Sequence, residues 1–168
     1  RLGLAGALLA LGRIPEAIEH YQGLQTRLPE DGRAYRGLAL CHIKSGHRDK
    51  ALEWVAAAEE RSDRYEARLL EAFVYEHNLS GERYGVGFDD EAAEEVYRQV
   101  IELYPGRAEA HYNLGVIHAR AERWEHAVAS LERVLAIDST YAAARVALAE
   151  VERVTKSQNI HILRIKRP

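Results

Sequence analysis

Apolar side chains recur at i, i+3, i+4 and i+7 along most of the chain, the spacing of amphipathic helices. Leu38, Leu40, Cys41 and Ile43 carry it on one segment, and Leu52, Val55 and Ala58 carry it on the next. Ser45-Gly46-His47 separates the two, a link so short that they must be antiparallel neighbours. Pro15 suits a first helical turn, while Pro29, Pro105-Gly106 and Asp138-Ser139-Thr140 mark further boundaries. The pattern predicts an all-α chain of about nine helices with no internal strand.

The helices are not independent of one another. Ala5, Ala39 and Phe73 are evenly spaced along the chain, and Ala149 follows Gly115 by the same interval. Ala17, Ala51, Ala93 and Ala127 are spaced 34, 42 and 34, as are Pro29, Asp63, Pro105 and Ser139. One eight-residue insertion thus interrupts a regular array, and a period of this length marks a solenoid of stacked helix pairs. Small residues allow close helix crossings, a role expected for Ala39 against Ala51 and for Gly115 against Ala127.

The period and residue types resemble the tetratricopeptide repeat. The second repeat reads Tyr35, Leu38, Ala39, His42, then Ala51, Val55, Asp63; the fourth reads His111, Leu114, Gly115, His118, then Ala127, Leu131, Ser139. The first gives Leu4, Ala5, Leu8, then Ala17, Tyr21, Pro29. The third gives Leu69, Ala72, Phe73, Glu76, then Ala93, Tyr97, Pro105, with Phe73 in place of a small residue. Repeats of about 1–31, 32–65, 66–107 and 108–141 follow, then a capping helix over 141–156 and an extended tail over 157–168. The resemblance implies a right-handed α-solenoid that is a protein-interaction module, with no catalytic residues and no cofactor.

In that family a groove along the first helices holds a peptide, at the second, fifth, ninth, twelfth and thirteenth places of each repeat. The resemblance puts Leu2, Gly6 and Leu9 there in the first repeat, then Arg33, Arg36, Leu40, Ile43 and Lys44. The third supplies Ala67, Leu70, Val74, His77 and Asn78, and the fourth Glu109, Tyr112, Val116, Ala119 and Arg120. Such a surface suits a protein or peptide with apolar anchors, unless neighbouring repeats cover part of it. The carboxylate clamp of chaperone-binding members is not assembled: its places hold Leu2, Gly6, Gly37, Ala67 and Glu71, or Arg36, Leu40, Glu71, Glu109 and Asn113. A self-assembling scaffold and a regulatory segment of a larger enzyme remain alternative readings.

Charge narrows the partners. The net charge is −3, yet Lys156 to Pro168 holds four basic residues and no acid, so the rest carries −7. An acidic body is a poor phosphate binder, which argues against nucleic acid. One cysteine, Cys41, forbids an internal disulfide, so a cytoplasmic setting is favoured. With no Met and Arg1 opening a helix, the sequence reads as a fragment lacking its native N-terminus. Leu2 to Leu11 is apolar like part of a secretion signal, but Ala5 and Ala17 fall in phase with Ala39 and Ala51. The run is also too short for membrane insertion.

Eight histidines invite a metal reading. His111 and His118 are two turns apart on one helix, about 10 Å, too far to share an ion; like His42 they occupy aromatic places and are expected to pack. The insertion, about 79–88, carries Gly85-Val86-Gly87 without the strand and third glycine of a dinucleotide loop. It is expected to be a surface loop whose Tyr84 and Phe88 either pack onto the neighbouring turn or form a second contact, with Asp89 or Asp90 capping the next helix. In the tail, Ile160, Ile162, Leu163 and Ile165 form a mostly β-branched run that predicts an extended chain. It reads as a disordered end, as the first strand of a further domain, or as an occupant of the groove in cis or in trans.

Overall fold

The computed structural model describes residues 2–61 and 64–165, of which 158–165 by backbone alone. The described residues form nine helices: α1 (Leu2–Ala10), α2 (Ile14–Arg27), α3 (Gly32–Lys44), α4 (Arg48–Glu59), α5 (Arg64–Tyr75), α6 (Asp90–Leu103), α7 (Ala108–Arg120), α8 (Trp124–Ile137) and α9 (Ala142–Ile165). No strand occurs among them, only one isolated bridge between His77 and Arg83. The punctuation read from the sequence falls where expected. Pro15 sits in the first turn of α2, and Asp31 caps α3 by accepting from the Arg33 amide. Asp63 lies outside the described residues.

Two compact units share the chain, Arg1–Val96 and Tyr97–Pro168, with the division inside α6. In the N-terminal unit, α1 packs on α2, α2 on α3, α3 on α4 and α4 on α5. Its core holds Ala5, Leu8, Ala17, Tyr21, Leu38 and Cys41 in one cluster, and Ala39, Ile43, Ala51, Val55, Leu70 and Val74 in a second. The crossing of α2 and α3 depends on a glycine: a Cβ at Gly37 would overlap the Tyr21 ring. In the C-terminal unit, α7 packs on α8 and α8 on α9, around Ala127, Leu131, Val134, Ala144 and Val151. Gly115 makes its close approach to Leu131, whose Cγ would lie 3.0 Å from an added Cβ, and to Ser130. Ala127 is buried in the same core, but the expected closest partner is displaced by a turn.

Proline appears in both units in an equivalent bond. The Tyr35 hydroxyl donates to the Pro29 carbonyl at 2.9 Å, and His111, two repeats further on, places Nε2 3.4 Å from the Pro105 carbonyl. An aromatic place filled by histidine therefore keeps its packing role and a similar bond.

The chain end departs from expectation. The β-branched run from 157 predicts an extended tail, but α9 continues as helix to Ile165 and takes in Ile160, Ile162 and Leu163. No Gly or Pro interrupts residues 142–165, and each β-branched residue costs a helix only a fraction of a kcal/mol. Ser157 does not break the helix; its hydroxyl donates back to the Arg153 carbonyl at 3.0 Å. An extended segment lying in a groove is thus not the conformation found as far as Ile165. Residues 166–168 lie outside the described chain.

Candidate functional site

In the N-terminal unit the expected groove residues divide into a packed set and an exposed set. Ile43, Leu70 and Val74 are 3%, 6% and 2% exposed and belong to one core cluster, with Leu40 packed partly against it. They are corrected from ligand contacts to core. The reason is direct packing of α3 on α5, which brings the late places of one first helix against the middle of the next. The charged residues stay outside. Arg33 chelates Asp31 at 2.7 Å, Arg36 pairs with Glu66 at 3.2 Å, and Lys44 is exposed. Ala67 is fully buried.

His77 and Asn78 are also corrected, because both are interior to the segment joining α5 to α6. His77 donates from Nδ1 to the Phe73 carbonyl at 2.8 Å. Its Nε2 is buried with no hydrogen-bond partner among the described residues, and burial, above all, lowers its pKa. Asn78 organises the insertion: Oδ1 accepts from the Ser80 and Glu82 amides at 2.9 and 3.0 Å, and Nδ2 donates to Glu82 Oε2 at 3.1 Å.

The insertion itself is tied down. Arg48 donates to the His77 carbonyl at 2.9 Å, and the fully buried Glu76 carboxylate holds Arg83 at 2.8 Å. The Arg83 guanidinium lies 4.9 Å from the Phe73 ring centre and 4.8 Å from that of Tyr84. Tyr84 and Phe88 meet edge to face at 5.6 Å, and Asp89 caps α6 by accepting from the Ala92 amide. Gly46 and Gly81, both at positive φ, let the insertion seat on the α3–α4 turn; a Cβ on Gly46 would overlap the Leu79 carbonyl.

The C-terminal unit holds an open apolar cleft of about 310 Å³ between α7, α8 and α9. Val116, Ala119 and Arg120, three of the expected groove residues, line it with Trp124 and Leu131. The opposite wall, Ala147, Glu150, Val151 and Val154, comes from α9. Sequence reasoning missed that wall by treating α9 only as a cap. The signal was present in Ala149, which stands in phase with Gly115 and puts α9 at a first-helix place of the repeat. Tyr112 is set apart from the cleft, with its ring 5.3 Å from that of Tyr141, and Glu109 is exposed at the start of α7.

The repeat explains the opening. Ala119 stands two repeats after Ile43, and Val154 two repeats after Asn78. In the N-terminal unit those places hold a core isoleucine and the asparagine that anchors the insertion, whereas here an alanine leaves space. An apolar floor with Arg120 and Glu150 at its edge is of a size to receive one or two large side chains. Glu150 is already bonded to Arg153 at 2.9 Å. Among the described residues no group of three or more His, Cys, Asp or Glu could hold a metal ion, and no helix is long and apolar enough to cross a membrane.

Helices of fixed sequence period, packed on one another within each unit, define a helical-repeat protein. Family models described as tetratricopeptide repeat match residues 8–72 and 91–142, together more than half of the chain. The chain belongs to the tetratricopeptide-repeat family, a fold that mediates protein–protein interaction. It is 30% identical over 124 residues to the TPR repeat-containing protein YvcD of Bacillus subtilis (strain 168), which takes in 72% of this chain and 23% of that protein. The chain therefore spans about a quarter of that relative's length. Among solved structures, TTC0263, a thermophilic TPR protein of Thermus thermophilus, aligns with TM-score 0.66 and 26% identity over 92% of this chain and 80% of that one. YrrB, described as a TPR protein with an unusual peptide-binding site, aligns with TM-score 0.60 and 23% identity over 86% and 71%. These likenesses place the all-α repeat fold.

Proposed function

We propose that this chain is a non-catalytic interaction module that takes a peptide segment of a partner protein into the cleft between α7, α8 and α9. The cleft carries the reading: it is open, almost wholly apolar, and lined on one side by Val116, Ala119 and Arg120, the places where the family's ligands lie. Family membership supports a protein partner, and the unusual peptide-binding site named for YrrB supports a peptide as the form of the ligand. The ligand would present a large aliphatic or aromatic anchor to Ala119 and Val151. We take the array as four helix pairs followed by α9, with the boundaries given by the repeat intervals.

A peptide library displayed on phage and selected against the wild-type chain tests this directly. Selected peptides should share an apolar anchor and bind the Ala119→Ile variant at least tenfold more weakly, since that change restores the side chain that fills the same place in the second repeat. Equal binding to both proteins would reject the cleft as the site. Mass by light scattering that is independent of concentration would separate the reading from a self-assembling scaffold.

A further inference from the structure

The segment joining α5 to α6 encloses an imidazole that its surroundings leave half satisfied. His77 is 2% exposed. Its Nδ1 donates to the Phe73 carbonyl at 2.8 Å, so Nε2 of the neutral ring is a bare acceptor, and that atom is buried with no hydrogen-bond partner among the described residues. The Phe73 ring meets the imidazole edge to face at 4.5 Å. The charged groups around it are Lys44 from α3, Arg48 from α4, and Glu76, Arg83 and Asp89 from its own segment. Both carboxylates are engaged by arginines, Glu76 by Arg83 at 2.8 Å and Asp89 by Arg48 at 3.5 Å. A proton on Nε2 would therefore create a buried cation without an acceptor, close to other cations.

The same segment rests on the α3–α4 turn through contacts that must give way together. Gly46 meets the Leu79 carbonyl and Gly81 the Lys44 carbonyl too closely for any side chain, and Arg48 bonds the His77 carbonyl. Tyr84, which is not glycine, is held at φ +56, a conformation that costs free energy and that opening would relieve. Residues 76–88 contribute nothing to the core cluster of Ala39, Ile43, Ala51, Val55, Leu70 and Val74, so α3, α4 and α5 keep that core when the segment lifts.

We propose that residues 76–88 form an acid-released latch: a proton taken up by His77 lifts this segment off the α3–α4 turn while α3, α4 and α5 stay folded. Burial, first of all, lowers the His77 pKa, the Phe73 bond raises it, and Lys44 and Arg83 lower it. The closed segment thus binds a proton less readily than the open one, whose histidine titrates near its ordinary value of about 6.5. Closure is fully favoured above that pH and loses ground below it, by up to about tenfold per pH unit. The latch does not depend on the cleft of the C-terminal unit.

Amide hydrogen exchange on the full chain, followed by NMR from pH 7.5 to 5 and expressed as protection factors, tests this. The Asn78, Glu82 and Tyr84 amides, all bonded within the segment, should lose protection by up to about tenfold per pH unit below about 6.5. Amides in the middle of α3 and α4 should stay at least about tenfold better protected throughout. His77→Phe keeps a buried ring with nothing to protonate and should flatten the pH dependence at the three amides; His42→Gln should not. His77→Gln serves the same purpose should the Phe variant fail to fold, and circular dichroism checks each. Protection that is independent of pH in the wild type, or a pH dependence that survives loss of the imidazole, would overturn the proposal. So would loss of protection in step with α3 and α4, which would mean global unfolding. The wild-type ring at pH 7.5 should also show the nitrogen shifts of the Nδ1–H tautomer, and those of the Nε2–H tautomer would count equally against the latch.

Discussion

His111 stands 3.4 Å from the Pro105 carbonyl at the place where Tyr35 reaches Pro29 at 2.9 Å, so two different rings close the same kind of turn. The imidazole carries a liability that the phenol lacks. Burial, first of all, lowers the His111 pKa, the Pro105 bond raises it, and Arg133 lowers it. The folded state thus favours neutral imidazole. Its contribution is present above about pH 6.5, where a free histidine titrates, and is lost as pH falls further and the unfolded chain takes up the proton. His42 and His77, lowered mainly by burial, act in the same direction. Urea titrations should show the wild type less stable at pH 5 than at pH 7.5. His111→Tyr should gain about 1 kcal/mol from the shorter bond and narrow, but not abolish, that difference.

Opposite signs are expected from one substitution at two equivalent glycines. Gly3→Ala enters open space and should stabilise by about 1 kcal/mol through helix propensity. Gly37→Ala must displace the buried Tyr21 ring, and overpacking of about 1 to 3 kcal/mol should outweigh the same gain. Urea midpoints that shift in the same direction for both would contradict the α2–α3 packing.

The insertion should matter for stability though not for helix content. Replacing residues 80–87 with a Gly-Ser link removes Arg83 from a buried carboxylate and undoes the seat on the α3–α4 turn. Far-ultraviolet circular dichroism should keep its helical signal while the urea midpoint falls. Arg83→Ala alone should cost about 2 kcal/mol, the scale of a hydrogen bond to a charged group.

Cys41 should report unfolding. It is fully buried, and burial pushes its thiol up to about 11, so little thiolate exists at pH 8. Iodoacetamide should label it only as fast as the chain opens. Raising the pH past about 8.5 should then weaken the fold, since the unfolded thiol ionises there and the folded one does not. Rapid labelling of native protein at pH 8 would count against the burial.

Much of the fold was legible because glycine, proline and apolar spacing act locally. The insertion showed as eight extra residues, and Asp89 caps as expected. The candidate site was less legible, since the period tells which places face a neighbour but not how much volume the neighbour brings. Ile43, Leu70 and Val74 sit at groove places yet fill one another's space, while Ala119 leaves its space open. Only the difference between isoleucine and alanine at the same place of two repeats distinguishes core from cleft. The helical chain end was misread for a related reason: the low helix preference of isoleucine is small beside the absence of any residue that stops a helix.

Stacked hairpins bend most readily by splaying apart at their turns. In the N-terminal unit one such joint is riveted, because the insertion interlocks with the α3–α4 turn through Gly46 and Gly81 and is pinned again by Arg48. Opening that joint would have to break the Arg48 bond and unseat the insertion together, so the α3–α4 turn should be the stiffest hinge of the N-terminal unit.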